Sequence, residues 1–300
     1  MSGTQIRKVA VIGAGLMGHG IAQVCAQTAG YEVSILDVKQ EFVDRGVAMI
    51  KDSLAKFVAK GALDKQKAEE VIRRIRPTTD LKTALEGAQL VIEAASEDPK
   101  LKLDLYRRVS EVVSPKTILA SNTSSISITL LASATKTPEN VVGMHFFNPP
   151  QLMPLIEIIR GVKTSDTTVD SIRGAAKAMG KETVLCKKDS PGFIVNRVLM
   201  PALNEAAFLV SEGVADPEDI DKAITLGLSW PMGPLKLLDY VGIDTALSIS
   251  DVLLQEFEDS KYRASPNLRE MVRAGLLGRK SGKGFYEWPS PSPTKAKATP

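Results

Sequence analysis

Lys8-Val9-Ala10-Val11-Ile12-Gly13-Ala14-Gly15-Leu16-Met17-Gly18 joins an apolar run to a Gly-x-Gly-x-x-Gly turn. At this spacing the first glycine permits a tight bend and the second lets the backbone approach a pyrophosphate. The third lets the following helix pack against the strand. A second apolar run, Val33-Ser34-Ile35-Leu36, ends in Asp37, nineteen positions beyond Gly18. An acid at that place accepts hydrogen bonds from the adenosine ribose hydroxyls, and its charge repels a 2′-phosphate. Strand, turn, helix, strand and acid therefore define a dinucleotide site, with NAD expected over NADP. Gly13, Ala14, Gly15, Leu16, Met17, Gly18 and Asp37 are its expected contacts. Lys39, two residues on, is the nearby feature that favours a phosphate instead.

The 300 residues are 44% hydrophobic and carry a formal net charge of +3. That length suffices for two domains with a substantial core. The basic residues are interspersed with acids, so no nucleic-acid partner is expected. No charged-then-apolar leader and no run long enough to cross a bilayer is present, so the expectation is a cytoplasmic enzyme without a membrane partner. Cys25 and Cys186 stand in no metal or redox spacing and read as small buried residues. With only His19 and His145 in the chain, no multi-histidine metal site is expected, and any histidine catalysis must use one of these two.

Residues 41–60 place Val43, Val47, Ile50, Leu54 and Phe57 at helical spacing, with Gly61 suited to the C-terminal cap. Residues 65–76 read as a second helix, begun after Asp64 and stopped by Pro77. Together they predict a charged helical hairpin, about 41–76, inserted in the nucleotide domain. Apolar runs at 90–95, 117–120 and 141–144 read as buried parallel strands, with a helix from Pro99 capped by Asp98. Further strands at 154–159 and 182–186 flank a helix at 167–179. Beyond Asp189 the pattern turns helical, over 191–210, 217–226, 233–240 and 244–257, with one short strand at Gly284-Phe285-Tyr286. The expected fold class is α/β: a Rossmann-type, doubly wound, mainly parallel sheet over 1–188, followed by an all-α domain over 189–288. Residues 289–300, rich in Pro, Ser and Lys, predict a disordered tail. Gly278 to Gly284 misses the spacing of a phosphate loop and follows no strand.

An enzyme that oxidises an alcohol with a nicotinamide needs a base for the hydroxyl proton, and imidazole suits neutral pH. His145 follows the strand 141–144 and leads into Phe146-Phe147-Asn148-Pro149-Pro150, at a carboxyl edge of the sheet where ligands bind. A lone histidine is also commonly structural, and His19 in the nucleotide helix keeps that reading. Glu157 lies within Leu155-Ile156-Glu157-Ile158-Ile159, where a carboxylate is costly unless paired. If the Pro-rich segment 148–154 returns the chain beside the previous strand, Glu157 reaches an imidazole nitrogen of His145. A strand residue facing solvent fits the same alternation.

Ser121-Asn122-Thr123-Ser124-Ser125, Met144-His145-Phe146-Phe147-Asn148-Pro149, Glu157 and Ser190-Pro191-Gly192-Phe193-Ile194-Val195-Asn196-Arg197 decide between these readings. In this order they closely resemble the L-3-hydroxyacyl-CoA dehydrogenases, above all the stand-alone bacterial 3-hydroxybutyryl-CoA enzymes. Tyr262 to Pro266 and Gly278 to Tyr286 resemble that family too, so the likeness runs from about residue 6 to 287. The resemblance implies reversible oxidation of a 3-hydroxyacyl-CoA to the 3-ketoacyl-CoA with NAD. It implies His145 as base, Glu157 as its orienting carboxylate, and Ser124 and Asn196 as hydrogen-bonding partners of the substrate. Cofactor contacts beyond the glycine loop and Asp37 fall on Glu97, Lys102, Ser124, Asn148 and Lys280. Ser53 and Lys60 on the hairpin match CoA-contacting positions, and the helical domain is implied to form a homodimer. Two rivals remain: a sugar-acid dehydrogenase of the same fold, resembling lambda-crystallin and gulonate 3-dehydrogenase, and a non-catalytic nucleotide-binding protein.

Overall fold

The structure is a computed structural model describing residues 6–289, so the expected tail lies outside the described residues apart from Pro289. The chain divides into two compact units, Met1–Phe193 and Ile194–Pro300. In the first, strands β1 (Lys8–Ile12), β2 (Glu32–Leu36), β3 (Ile75–Thr78) and β4 (Leu90–Glu93) precede β5 (Ile118–Ser121), β6 (Val141–Phe146), β7 (Leu155–Ile159) and β8 (Glu182–Cys186). They form one sheet in the order β3-β2-β1-β4-β5-β6-β7-β8, parallel throughout except for the antiparallel pair β6–β7. Strand order reverses at β1, so the crevice beyond the carboxyl ends of β1 and β4 is the natural ligand position. All residues of β4, β5 and β6 are buried, which is why their sequences lack alternation.

Helices α1 (Gly18–Gln27), α2 (Gln40–Ala59), α3 (Lys65–Arg73), α4 (Leu81–Leu85), α5 (Pro99–Val112), α6 (Ile128–Ser133) and α7 (Asp166–Ala178) complete this unit. Asp64 and Asp98 cap α3 and α5 by accepting main-chain N–H groups, as read from the sequence. The second helix of the hairpin is shorter than expected. It ends at Arg73, and residues 75–78 form the edge strand β3, with Pro77 opposite Ile35. An edge strand tolerates the missing N–H of proline, so Pro77 sits within a strand and stops no helix. The pair α2–α3 is thus the crossover from β2 to β3, elongated into an arm. His145 likewise lies within β6 rather than after it.

The first unit extends to Phe193, past the change of texture near residue 188, because Phe193 packs among Leu119, Ile126 and Val141. The helix expected over 191–210 starts only at Val195, since Gly192 and Phe193 have φ values of 73° and 52°, left-handed conformations that no helix continues. The second unit holds α8 (Val195–Ser211), α9 (Pro217–Leu228), α10 (Pro234–Val241), α11 (Ile243–Phe257) and α12 (Pro266–Arg273) around Leu203, Leu235 and Leu253. No strand forms at 284–286; only isolated bridges join Gly278 to Lys283 and Lys283 to Glu287. The buried Asp239 carboxylate instead accepts from Phe285 N at 2.9 Å, Tyr286 N at 2.9 Å and Trp288 Nε1 at 2.8 Å. A Cβ at Gly284 would lie 2.1 Å from Asp239 Oδ1, so the glycine-rich segment 278–284 wraps a carboxylate of its own chain.

Candidate active site

The glycine turn has the geometry that a dinucleotide needs. Gly13 adopts φ +99°, and a Cβ there would meet Ala94 O at 2.5 Å. A Cβ at Gly18 would lie 1.7 Å from Gly13 O, so any side chain would push helix and turn apart. A Cβ added at Gly15 would meet nothing within 4 Å, which leaves the mouth of the turn open at the start of α1. Asp37 closes the far side: Oδ2 accepts from Ala14 N at 2.8 Å and Oδ1 from Val38 N at 2.7 Å. Lys39 points its ammonium at Glu41, 3.9 Å away, and over the Phe42 ring. The open turn and the carboxylate together fit NAD. His19, in the first turn of α1, bonds through Nδ1 to Gly15 O at 2.9 Å, and burial pulls its pKa below the usual imidazole value.

Beside this cradle lies a buried charge network that sequence reading missed in part. Glu93, at the end of β4 and 2% exposed, accepts from Lys102 Nζ at 2.5 Å, Ser121 Oγ at 2.7 Å and Ala95 N at 2.7 Å. The Lys102 ammonium, 1% exposed, is enclosed by Glu93, by Glu97 at 3.2 Å and by Ala95 O at 3.2 Å. Glu97 is partly exposed and accepts from Thr123 Oγ1 at 2.9 Å, Ser124 N at 2.7 Å and Ser124 Oγ at 3.3 Å. Lys102 therefore acts on Ser124 through Glu97. Burial, reinforced by the Glu93 charge, raises the Tyr106 phenol well above its ordinary pKa and keeps it neutral.

The conditional pairing of His145 with Glu157 is realised. The Pro-rich connection returns the chain antiparallel, and the register sets His145 directly opposite Glu157. His145 Nδ1 lies 2.7 Å from Glu157 Oε2; the carboxylate is wholly buried and the imidazole 6% exposed. With an ionised carboxylate, which only accepts, facing a neutral imidazole, Nδ1 carries the hydrogen and Nε2 keeps a lone pair. Phe147 and Phe193 stand against the imidazole, with centroids at 4.7 Å and 5.7 Å. Asn122 Oδ1 accepts from Phe146 N at 2.9 Å, tying the loop after β5 to the strand that carries His145. The arm bears Ser53 on α2 and the exposed Lys60 at its C-terminus, and Gln151 Nε2 donates to Ser53 Oγ at 3.4 Å. Asn148 is exposed in the turn after β6. Asn196 lies in the first turn of α8, and Lys280, paired with Asp244, in a short 3-10 turn; both belong to the second unit.

Comparison with known proteins places this geometry. The family model for the 3-hydroxyacyl-CoA dehydrogenase NAD binding domain matches residues 8–190, and that for the C-terminal domain of the same family matches 192–288. The chain belongs to the 3-hydroxyacyl-CoA dehydrogenase family. A "Probable 3-hydroxybutyryl-CoA dehydrogenase" of Deinococcus radiodurans is 52% identical over 94% of this chain and 100% of its own length. The human mitochondrial hydroxyacyl-coenzyme A dehydrogenase is 42% identical over 94% of this chain and 91% of its own. The crystal structure of (S)-3-hydroxybutyryl-CoA dehydrogenase from Ralstonia eutropha superposes with a TM-score of 0.91 at 44% identity, covering 95% of this chain and 100% of that one. Among the described residues no helix is long and apolar enough to cross a membrane.

Proposed function

We propose that this chain interconverts 3-hydroxybutyryl-CoA and acetoacetyl-CoA with NAD(H), as a cytoplasmic homodimer joined through its helical second unit. The observation that carries the reading is the His145–Glu157 hydrogen bond at the carboxyl edge of a sheet whose glycine turn fits a dinucleotide. NAD, when bound, supplies the hydride acceptor for oxidation and the hydride donor for reduction. In oxidation, Nε2 of His145 takes the substrate hydroxyl proton while the C3–H electron pair departs with the hydrogen as hydride. Glu157 stabilises the resulting imidazolium, which returns the proton to the oxygen in the reductive direction. Ser124 and Asn196 hydrogen-bond the reacting oxygen and thioester, and Ser53 and Lys60 hold the CoA portion. Gly13 to Gly18 hold the pyrophosphate and Asp37 the adenosine ribose. Glu97, Asn148 and Lys280 contact the cofactor, with Lys102 supporting Glu97 from beneath.

The test is NADH oxidation with acetoacetyl-CoA, compared with a keto sugar acid and with no keto substrate. Turnover confined to the CoA thioester supports the reading. Turnover of the sugar acid alone, or of neither, refutes it.

A further inference from the structure

Lys181 stands outside every role assigned so far. It precedes β8, is 9% exposed, and points Nζ at two main-chain oxygens, Pro150 O and Met153 O, each at 2.7 Å. Among the described residues no carboxylate pairs with it, and burial lowers its pKa. An ammonium removed from water without a counter-ion is costly, so a lysine at this place has work that a hydrocarbon cannot do.

The work is visible in the turn it grips. Residues 149–154 contain Pro149, Pro150 and Pro154, which bring carbonyl groups without N–H donors. Leu152 N and Met153 N both return to Pro149 O at 3.0 Å, while the Pro150 and Met153 oxygens are met by Lys181. The same turn presses against α1, where a Cβ on Gly20 would lie 2.8 Å from Gln151 Oε1 and 3.0 Å from Pro150 Cδ. It reaches α2 through Gln151 and Ser53. The turn thus joins three elements: the hairpin β6–β7 bearing His145 and Glu157, the nucleotide helix α1, and the arm. In a hairpin the connection sets the register of the paired strands, and here one register alone brings His145 opposite Glu157.

We infer that Lys181 is a positioning residue for the reaction: its ammonium staples the proline turn and so holds the His145 ring at its catalytic angle against the cofactor helix. This rests on the function proposed above. Removing the staple takes this partner from the buried Pro150 carbonyl and the part-buried Met153 carbonyl and lets the turn relax, and misplacement of a catalytic group by about 1 Å costs on the order of 100-fold in rate.

The experiment compares Lys181→Arg, Lys181→Gln and Lys181→Met with wild type in acetoacetyl-CoA reduction, alongside spectra of protein carrying 15N-labelled histidine. With only two histidines in the chain, the signals of His145 need to be told apart only from those of His19. Expected is a kcat that falls in the order Lys, Arg, Gln, Met. The Met variant should lose about 10- to 100-fold while its KM for NADH stays within about twofold. The His145 ring signals should move in the same order. A folded Met variant with wild-type kcat and unchanged His145 signals overturns the inference. Should the Met variant not fold, Arg and Gln variants both equal to wild type overturn it equally. If the wild type fails to turn over acetoacetyl-CoA, the functional reading falls, and the His145 signals alone decide the staple.

Discussion

Replacing Lys102 by Met keeps the stem of the side chain and deletes its ammonium, so it isolates what the buried charge contributes. Lys102 and Glu93 are 1% and 2% exposed, and water cannot take the place of the lost partner. Breaking one half of a buried ion pair costs about 3–5 kcal/mol, because the remaining charge is left uncompensated. Glu93 keeps two hydrogen bonds, from Ser121 Oγ and Ala95 N, which places the expected loss at the lower end, about 3 kcal/mol. Glu97, being partly exposed, adds at most about 1 kcal/mol. Such a loss is a large share of a typical stability of about 5–15 kcal/mol. Both tryptophans, Trp230 and Trp288, belong to the second unit, so their fluorescence would miss the event. Urea unfolding is instead followed by far-UV circular dichroism and by hydrogen exchange of the β4 and β5 amides. The double variant Lys102→Met/Glu93→Gln removes both charges and should recover at least half of the loss. A single-variant loss below about 1 kcal/mol, or a double variant less stable than the single, would refute the buried pair as a stabilising unit.

Three further outcomes follow from the same geometry. Asp37→Ala should narrow a wild-type preference for NADH over NADPH, chiefly through KM for the cofactor; equal wild-type efficiency with both would point to Lys39 as a phosphate partner. Lys60→Ala should raise KM for acetoacetyl-CoA and leave KM for NADH nearly unchanged, with an effect that fades as salt rises, since an exposed charge is screened; weakened NADH binding instead would remove the arm from the CoA site. His19 is held neutral in the fold with a lowered pKa, so its contribution to stability is complete above the ordinary imidazole value of 6.5 and is lost as pH falls below it. The melting temperature of His19→Asn should accordingly drop less than that of wild type on acidification below pH 6.5, and parallel curves would contradict this.

The dinucleotide site was legible because each of its requirements is local. Gly13, Gly15, Gly18 and Asp37 are spaced by one strand, one turn and one helix, and the structure keeps that spacing. The catalytic pair was legible only as a condition, since β6 and β7 meet through a turn whose direction no periodicity encodes. The rule that marked Glu157, a carboxylate inside an apolar run, applies equally to Glu93 in Leu90-Val91-Ile92-Glu93, and would have found it. Pro77 misled because the same residue ends helices and decorates edge strands, and only the pairing with β2 decides which. Lys181 and Asp239 left no local signal: their partners are main-chain groups 28 to 47 residues away and, for Asp239, also the Trp288 indole.

The central claim is that His145 moves the proton and Glu157 acts through it, and one kinetic cycle tests it most directly. The kcat for acetoacetyl-CoA reduction is measured for wild type, His145→Ala, Glu157→Gln and the double variant, with NADH binding measured separately. His145→Ala should lower kcat by about 100- to 10,000-fold with NADH affinity largely kept, the range for losing a positioned acid or base. Glu157→Gln keeps the shape but cannot balance an imidazolium, so it should also lower kcat, and the double variant should be little worse than His145→Ala alone. Losses that multiply independently would place Glu157 in some other role, and a fully active His145→Ala enzyme would contradict the account.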